Sequence, residues 1–180
     1  MRYRIALALA SALALASAPA AAELTASSGS GFVSHHEAVV SGTPQQVWAE
    51  LVKPAGWWNG AHSYSGDAAN MTIAPVAGGC FCEWVPGQGG APAGQVEHMR
   101  VIHVAPYATL RLTGGLGPLQ GEAVTGVLTV AITPSGTGSK LVWDYVVGGY
   151  MRMPMAPLAP VVDQVVGEQF KRLAARFPAR

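Results

Sequence analysis

Charge is scarce in this sequence. Asp, Glu, Lys and Arg make up 12% of 180 residues, and the formal charge is +1. Two of the eleven basic residues, Arg2 and Arg4, lie in the first 22 positions. Without them nine basic residues face ten acidic ones, leaving −1. That balance offers no attraction to nucleic acid or to an anionic membrane surface. Low charge with half the residues apolar also argues against disorder. Cysteine is limited to Cys80 and Cys82, and a chain of this length builds a core without disulfides or metal. Gly-x-Ser-x-Gly is absent, and no lysine follows the glycines of residues 114–121 in phosphate-loop fashion. A serine-hydrolase elbow and a nucleotide site are therefore unsupported.

Long apolar runs are confined to the start. Arg2 and Arg4 form a positive region, residues 5–18 are small and apolar save Ser11 and Ser17, and Pro19 precedes three alanines. This pattern predicts a secretory signal peptide over residues 1–22. The run is too short and too alanine-rich for a membrane anchor, so no stable anchor is expected after cleavage. No cysteine follows it and no twin arginine precedes it, which favours the general secretory route. The mature chain is expected to begin near Glu23 and to be periplasmic or secreted.

Helix signals then occur only at the two ends. Residues 23–31, rich in Ser, Ala and Gly, predict a flexible lead-in. A strand is expected over 32–41. Thr43, Pro44 and Gln46 form a helix start, with a capping threonine, proline at the first helical position and glutamine three residues after the cap. Val47, Trp48, Leu51 and Val52 supply its apolar stripe, and Pro54 ends it. Residues 59–70 are polar and turn-prone. Strands are expected over 71–74, 79–85, 94–104, 109–112, 124–133 and 140–147, separated by glycine- and proline-rich turns. Leu141, Trp143, Tyr145 and Val147 alternate onto one face. A last helix over 158–177 carries Val161, Val162, Val165, Val166, Phe170 and Leu173 at spacings of three and four. The pattern predicts an α+β domain over 32–180, a curved antiparallel sheet around a long C-terminal helix.

That order resembles the START-like (SRPBCC) superfamily with its helix-grip fold. The nearer branches are the polyketide cyclase/dehydrase-like proteins and the homologues of the Hsp90 ATPase activator. The matching segments are TPQQVWAEL, the Trp57-Trp58 pair, AGGCFCEW, EHMRVIHVAPYATLRL, GTGSKLVWDY and VVDQVVGEQFKRL. The resemblance implies a container beside the C-terminal helix that holds a small hydrophobic molecule such as a lipid, polyketide or aromatic. It implies no shared catalytic motif and no cofactor, because one fold hosts many activities. A co-chaperone role conflicts with export.

The candidate ligand-binding residues are Trp57, His62, Tyr64, Glu83, His98, Arg111, Trp143 and Tyr145. Trp143 and Tyr145 offer a rigid aromatic wall. Glu83, His98 and Arg111 are either polar groups in an apolar pocket or ordinary charges on a strand surface. His62, Tyr64, Asp67 and Asn70 share one polar loop that could cover a cavity mouth, or serve turn chemistry alone. His35 and His36 adjoin the lead-in, and solvent exposure is expected for both.

Cys80, Cys82 and His98 could contribute ligands to a metal, but two small core cysteines are the plainer reading. A disulfide is not favoured, since residues two apart in a strand have Cα atoms roughly 6.5 Å apart and parallel side chains. Pairing register decides whether the cysteines share a face with Glu97 and Met99 or with His98 and Arg100. The expected activity is binding of a small hydrophobic ligand by a monomer or weak dimer. The alternative is a cyclase- or dehydratase-type enzyme drawing on Glu83, His98 or Tyr145.

Overall fold

The computed structural model describes residues 23–178, so the expected signal peptide over 1–22 lies outside the described residues. Eight strands form one antiparallel sheet: β1 (Glu23–Ser27), β2 (Gly31–Val40), β3 (Met71–Ile73), β4 (Cys80–Val85), β5 (Gly94–Ala105), β6 (Thr109–Thr113), β7 (Ala123–Ser135) and β8 (Gly138–Tyr150). Their spatial order is β1-β2-β8-β7-β6-β5-β4-β3. The first and last long strands thus meet, while α1 (Pro44–Leu51) and three short helical turns carry the chain to the far edge.

Both sides of the α1 cap are formed as the sequence specifies. The Thr43 hydroxyl accepts from Gln46 N, and Gln46 Oε1 accepts from Thr43 N at 2.9 Å. The concave face of the sheet holds alternate residues from every long strand, among them Phe32, Leu110, Leu112, Val130, Ile132, Leu141 and Val147. The C-terminal helix α2 (Met155–Ala174) lies in that concavity and buries Ala159, Val162, Val166, Phe170 and Leu173. The architecture is α+β, a curved sheet gripping its last helix.

Three expectations need correction. The segment expected to be a flexible lead-in contains β1, which pairs with β2 from Glu23↔His35 to Ser27↔Phe32. Edge pairing uses backbone groups and is indifferent to a Ser- and Ala-rich composition. The last helix begins at Met155, three residues before the expected start. Pro157 falls in its first turn, where amide hydrogens have no helical acceptor, so the proline costs no bond there. His36 is not solvent-exposed: it is 1% accessible, on the sheet face beneath α2.

The cysteines also differ from expectation, because Cys80 and Cys82 are joined in a disulfide. Between Phe81 and Cys82 the β4–β5 pairing shifts register, so Phe81 opposes Met99 while Cys82 opposes Glu97. His98 is the extra residue of this bulge. Bulges sharpen local twist and shorten the rise, and the two Cα atoms stand 5.3 Å apart, within bridging reach. The bulge also dissolves the choice between two registers. His98 and Met99 both turn inward, whereas Glu97 and Arg100 both turn outward on either side of them.

Candidate functional site

A cavity of about 350 Å³ lies between α2 and the β4–β5 end of the sheet. Its apolar lining comes from Val161, Val162, Val165 and Val166 of α2, with Trp58, Leu116 and Pro118 opposite. Its polar lining is His62, Ser63, Tyr64 and His98. Volumes of about 300–1,000 Å³ with mostly apolar walls are usual for small-molecule sites.

The loop that forms one rim is anchored at several points. Asn59 N donates to Gln169 Oε1 at 2.8 Å, His62 Nε2 meets Glu168 Oε2 at 3.1 Å, and Arg172 Nε donates to Trp57 O at 2.7 Å. Trp58 Nε1 donates to His62 O at 3.0 Å, which fixes the indole in the wall. On the opposite rim Tyr145 holds the chain. Its hydroxyl donates to Gly114 O at 3.0 Å and accepts from Leu116 N at 3.1 Å. The rims meet where Tyr64 Oη donates to Gln120 Oε1 at 2.8 Å, both residues being exposed.

Behind the wall, Glu83 is fully buried on the inner face of β4. Its carboxylate accepts from Tyr64 N at 3.0 Å, from Ser65 N and from His98 Nε2 at 2.9 Å. Burial alone would raise the pKa of this carboxyl group. The bonds from Ser65, Tyr64 and His98 outweigh it and hold the group below the ordinary carboxylate range. His98 is itself buried, packed on Phe81 with ring centroids 5.0 Å apart. Burial lowers its pKa, and Glu83 only partly offsets this. The pair at neutral pH is therefore a carboxylate and a neutral imidazole with its proton on Nε2. Nδ1 has no hydrogen-bond partner among the described residues, and the ring lines the cavity.

A second buried cluster joins α2 to β2. The Ser34 hydroxyl donates to Asp163 Oδ1 at 2.6 Å, and His36 Nε2 lies 2.9 Å from Ser34 Oγ and 3.2 Å from Asp163. Serine and acid both meet the same imidazole nitrogen. A hydrolytic relay instead needs the acid on one nitrogen and the serine on the other. This cluster is a structural knot, and Gly167 admits it: a Cβ there would stand 2.7 Å from His36 Cε1. Burial lowers the pKa of His36, with Asp163 opposing.

These two histidines set the response to acid. Their folded pKa values lie below the ordinary 6.5, so the unfolded chain takes up protons that the folded chain refuses. Stability is then greatest above the unfolded value and declines as pH falls through it. His35, raised by its hydrogen bond to Asp144, acts in the opposite sense but is a third exposed and contributes less. The melting temperature is expected to fall between pH 7.5 and 5.5; a flat profile would contradict the neutral assignment.

The structure brings His62, Tyr64 and His98 of the sequence candidates to one cavity and places Glu83 directly behind it. The other four lie elsewhere. Trp57 packs against Trp58 and Trp143 in the core. Arg111 is on the outer face of β6, where its Nε donates to Thr129 Oγ1 at 2.9 Å. Trp143 is enclosed between Trp57 and Phe170, and its Nε1 is buried without a partner among the described residues. Tyr145 is enclosed, its hydroxyl is taken up by Gly114 and Leu116, and burial pushes its pKa up to about 12, so it stays protonated at neutral pH. Cys80 and Cys82 are bonded to each other, with Cys82 opposite the outward-facing Glu97, whereas His98 faces inward. The suggested metal set therefore does not converge.

Sequence reasoning missed Trp58, the 116–118 segment and the helix valines as lining residues. A signal for the valines existed: the apolar stripe of α2 is wider than the arc it buries, and Val161 remains 54% exposed.

No family model and no curated protein matches the chain. Solved structures do match. The Mll3558 protein from Rhizobium loti shares 18% identity over 82% of this chain and 97% of its own, with a TM-score of 0.58. A conserved protein of unknown function from Enterococcus faecalis, EF2215, shares 13% identity over 89% and 80%, with a TM-score of 0.55. The Aha1 dimer from Colwellia psychrerythraea shares 11% identity over 79% and 93%, with a TM-score of 0.51. The chain has the START-like helix-grip fold. At these identities the likeness is one of fold. Within the helix grip, the cavity lies where the sheet's open end leaves one flank of α2 uncovered.

Proposed function

We propose that the protein binds a small hydrophobic molecule, such as a lipid, polyketide or aromatic, in the cavity between the sheet and α2, and that it does so outside the cytoplasm. The observation that carries the reading is the cavity itself: about 350 Å³, walled by four valines, Trp58, Leu116 and Pro118, on a rim tied at several points. Preformed apolar pockets with a few placed polar groups are the usual form of such sites. Export is supported by the leader pattern of residues 1–22 and by the Cys80–Cys82 disulfide, a bond that persists in oxidising compartments.

A second reading, a cyclase- or dehydratase-type enzyme, is favoured by one observation. The carboxylate–imidazole pair at the wall has the components of a general base.

One preparation tests the first reading. Protein recovered from a periplasmic extract is expected to begin at Glu23 and to carry an apolar passenger in native mass spectrometry. The neutral fluorophore N-phenyl-1-naphthylamine is expected to bind it at one site, and Val165→Trp, which thrusts an indole into the cavity, to weaken that binding about tenfold or more. Equal affinity in the variant would place the probe elsewhere and end the proposal.

A further inference from the structure

We infer that the ligand carries a neutral hydroxyl group, as a phenol or enol does, and that this hydroxyl donates to Nδ1 of His98. The inference rests on the reading of the cavity as an apolar ligand site and adds what that site selects.

The donors of the polar side chains in the wall are already committed. The Ser63 hydroxyl donates to Gly60 O at 2.8 Å, the Tyr64 hydroxyl to Gln120 and His98 Nε2 to Glu83. His62 Nε2 is engaged by Glu168 at the rim. The remaining lining side chains are valines, Trp58, Leu116 and Pro118, and the Trp58 N–H is held by His62 O. A ligand carbonyl or carboxylate would therefore find no free side-chain donor. A ligand hydroxyl would find its one deeply buried acceptor in His98, because Glu83 fixes the imidazole proton on Nε2 and leaves the lone pair on Nδ1, whereas the other acceptors of the wall, the Ser63 and Tyr64 hydroxyls and the second ring nitrogen of His62, belong to rim residues at least partly open to solvent. The buried Glu83 carboxylate, 2.9 Å behind the ring, also disfavours a second negative charge in the same low-dielectric space. The wall thus accepts a hydrogen bond at His98, disfavours anions beside Glu83 and grips a hydrocarbon body.

Three probes of one shape test this: 2-naphthol, 2-methoxynaphthalene and 2-naphthoate, titrated calorimetrically into the mature protein. The naphthol is expected to bind about tenfold more tightly than the methyl ether, the worth of one buried hydrogen bond, with the naphthoate weakest. His98→Phe keeps a ring against Phe81 and is expected to abolish the preference while retaining the ether. Equal affinities for naphthol and ether, or a preference that survives His98→Phe, would overturn this inference and leave the hydrophobic-ligand reading standing. Binding of none of the three would overturn both. Should His98→Phe fail to fold, imidazole ¹⁵N spectra of the wild type read the same contact. The Nδ1 resonance moves with naphthol and stays in place with the ether, and an unmoved resonance with bound naphthol would overturn the inference.

Discussion

Glu83→Ala is expected to destabilise the protein by about 3–5 kcal/mol, the low end of the sum for three enclosed donors that lose their acceptor. The carboxylate satisfies two backbone amides, of Tyr64 and Ser65, together with the His98 imidazole. Truncation leaves all three donors enclosed without acceptors, and each unsatisfied group costs about 1–3 kcal/mol. The loss should fall on one region first, because those amides belong to the loop that forms the cavity rim. Urea unfolding gives the magnitude, and hydrogen exchange at Tyr64 and Ser65 gives the place. Glu83→Gln keeps an oxygen for the amides and should lose less. A cost below about 1 kcal/mol for the alanine variant would mean the loop is held by its other anchors alone.

Asp163→Ala is expected to cost about 3 kcal/mol by untying α2 from β2. The carboxylate accepts a hydrogen bond from the Ser34 hydroxyl and lies 3.2 Å from His36 Nε2, all three residues being buried. The effect belongs to orphaned partners, not to a net gain from the knot. Replacing the set together, with Ser34→Ala, His36→Phe and Asp163→Leu, should therefore recover much of the loss, as apolar replacements of buried polar triads can. Denaturant midpoints of the single and triple variants separate the two accounts. A triple variant as unstable as Asp163→Ala would show that the knot stabilises in its own right.

Much of the fold was legible because its signals are local. The α1 cap reads from Thr43, Pro44 and Gln46, and the alternation of Leu141, Trp143, Tyr145 and Val147 gives the buried face of β8. The α2 stripe reads from its spacing. The site was less legible because cross-strand geometry decides it. One extra residue at His98 turns both it and Met99 inward, and no periodicity within β5 announces this. The same bulge faces the cysteines that an ideal strand would have kept apart. Trp143 and Tyr145 share the inner face as expected, but they lie under α2 and beneath the 114–116 segment rather than at the cavity. Alternation assigns a face and says nothing of position along it. The buried His36 depends on Asp163, which is 127 positions distant in the chain.

If the cavity holds the proposed ligand, the Tyr64–Gln120 contact bears on how that guest would get in and out. One margin of the opening is moored deep in the sheet through Tyr145, while across it a single water-washed phenol–amide bond closes the gap. Such a bond exchanges with solvent at a net cost of about 1 kcal/mol. Turning the Tyr64 side chain would open the doorway while the sheet, α2 and the Glu83 anchorage stay still, so loading and release of the proposed ligand would not require the domain to loosen.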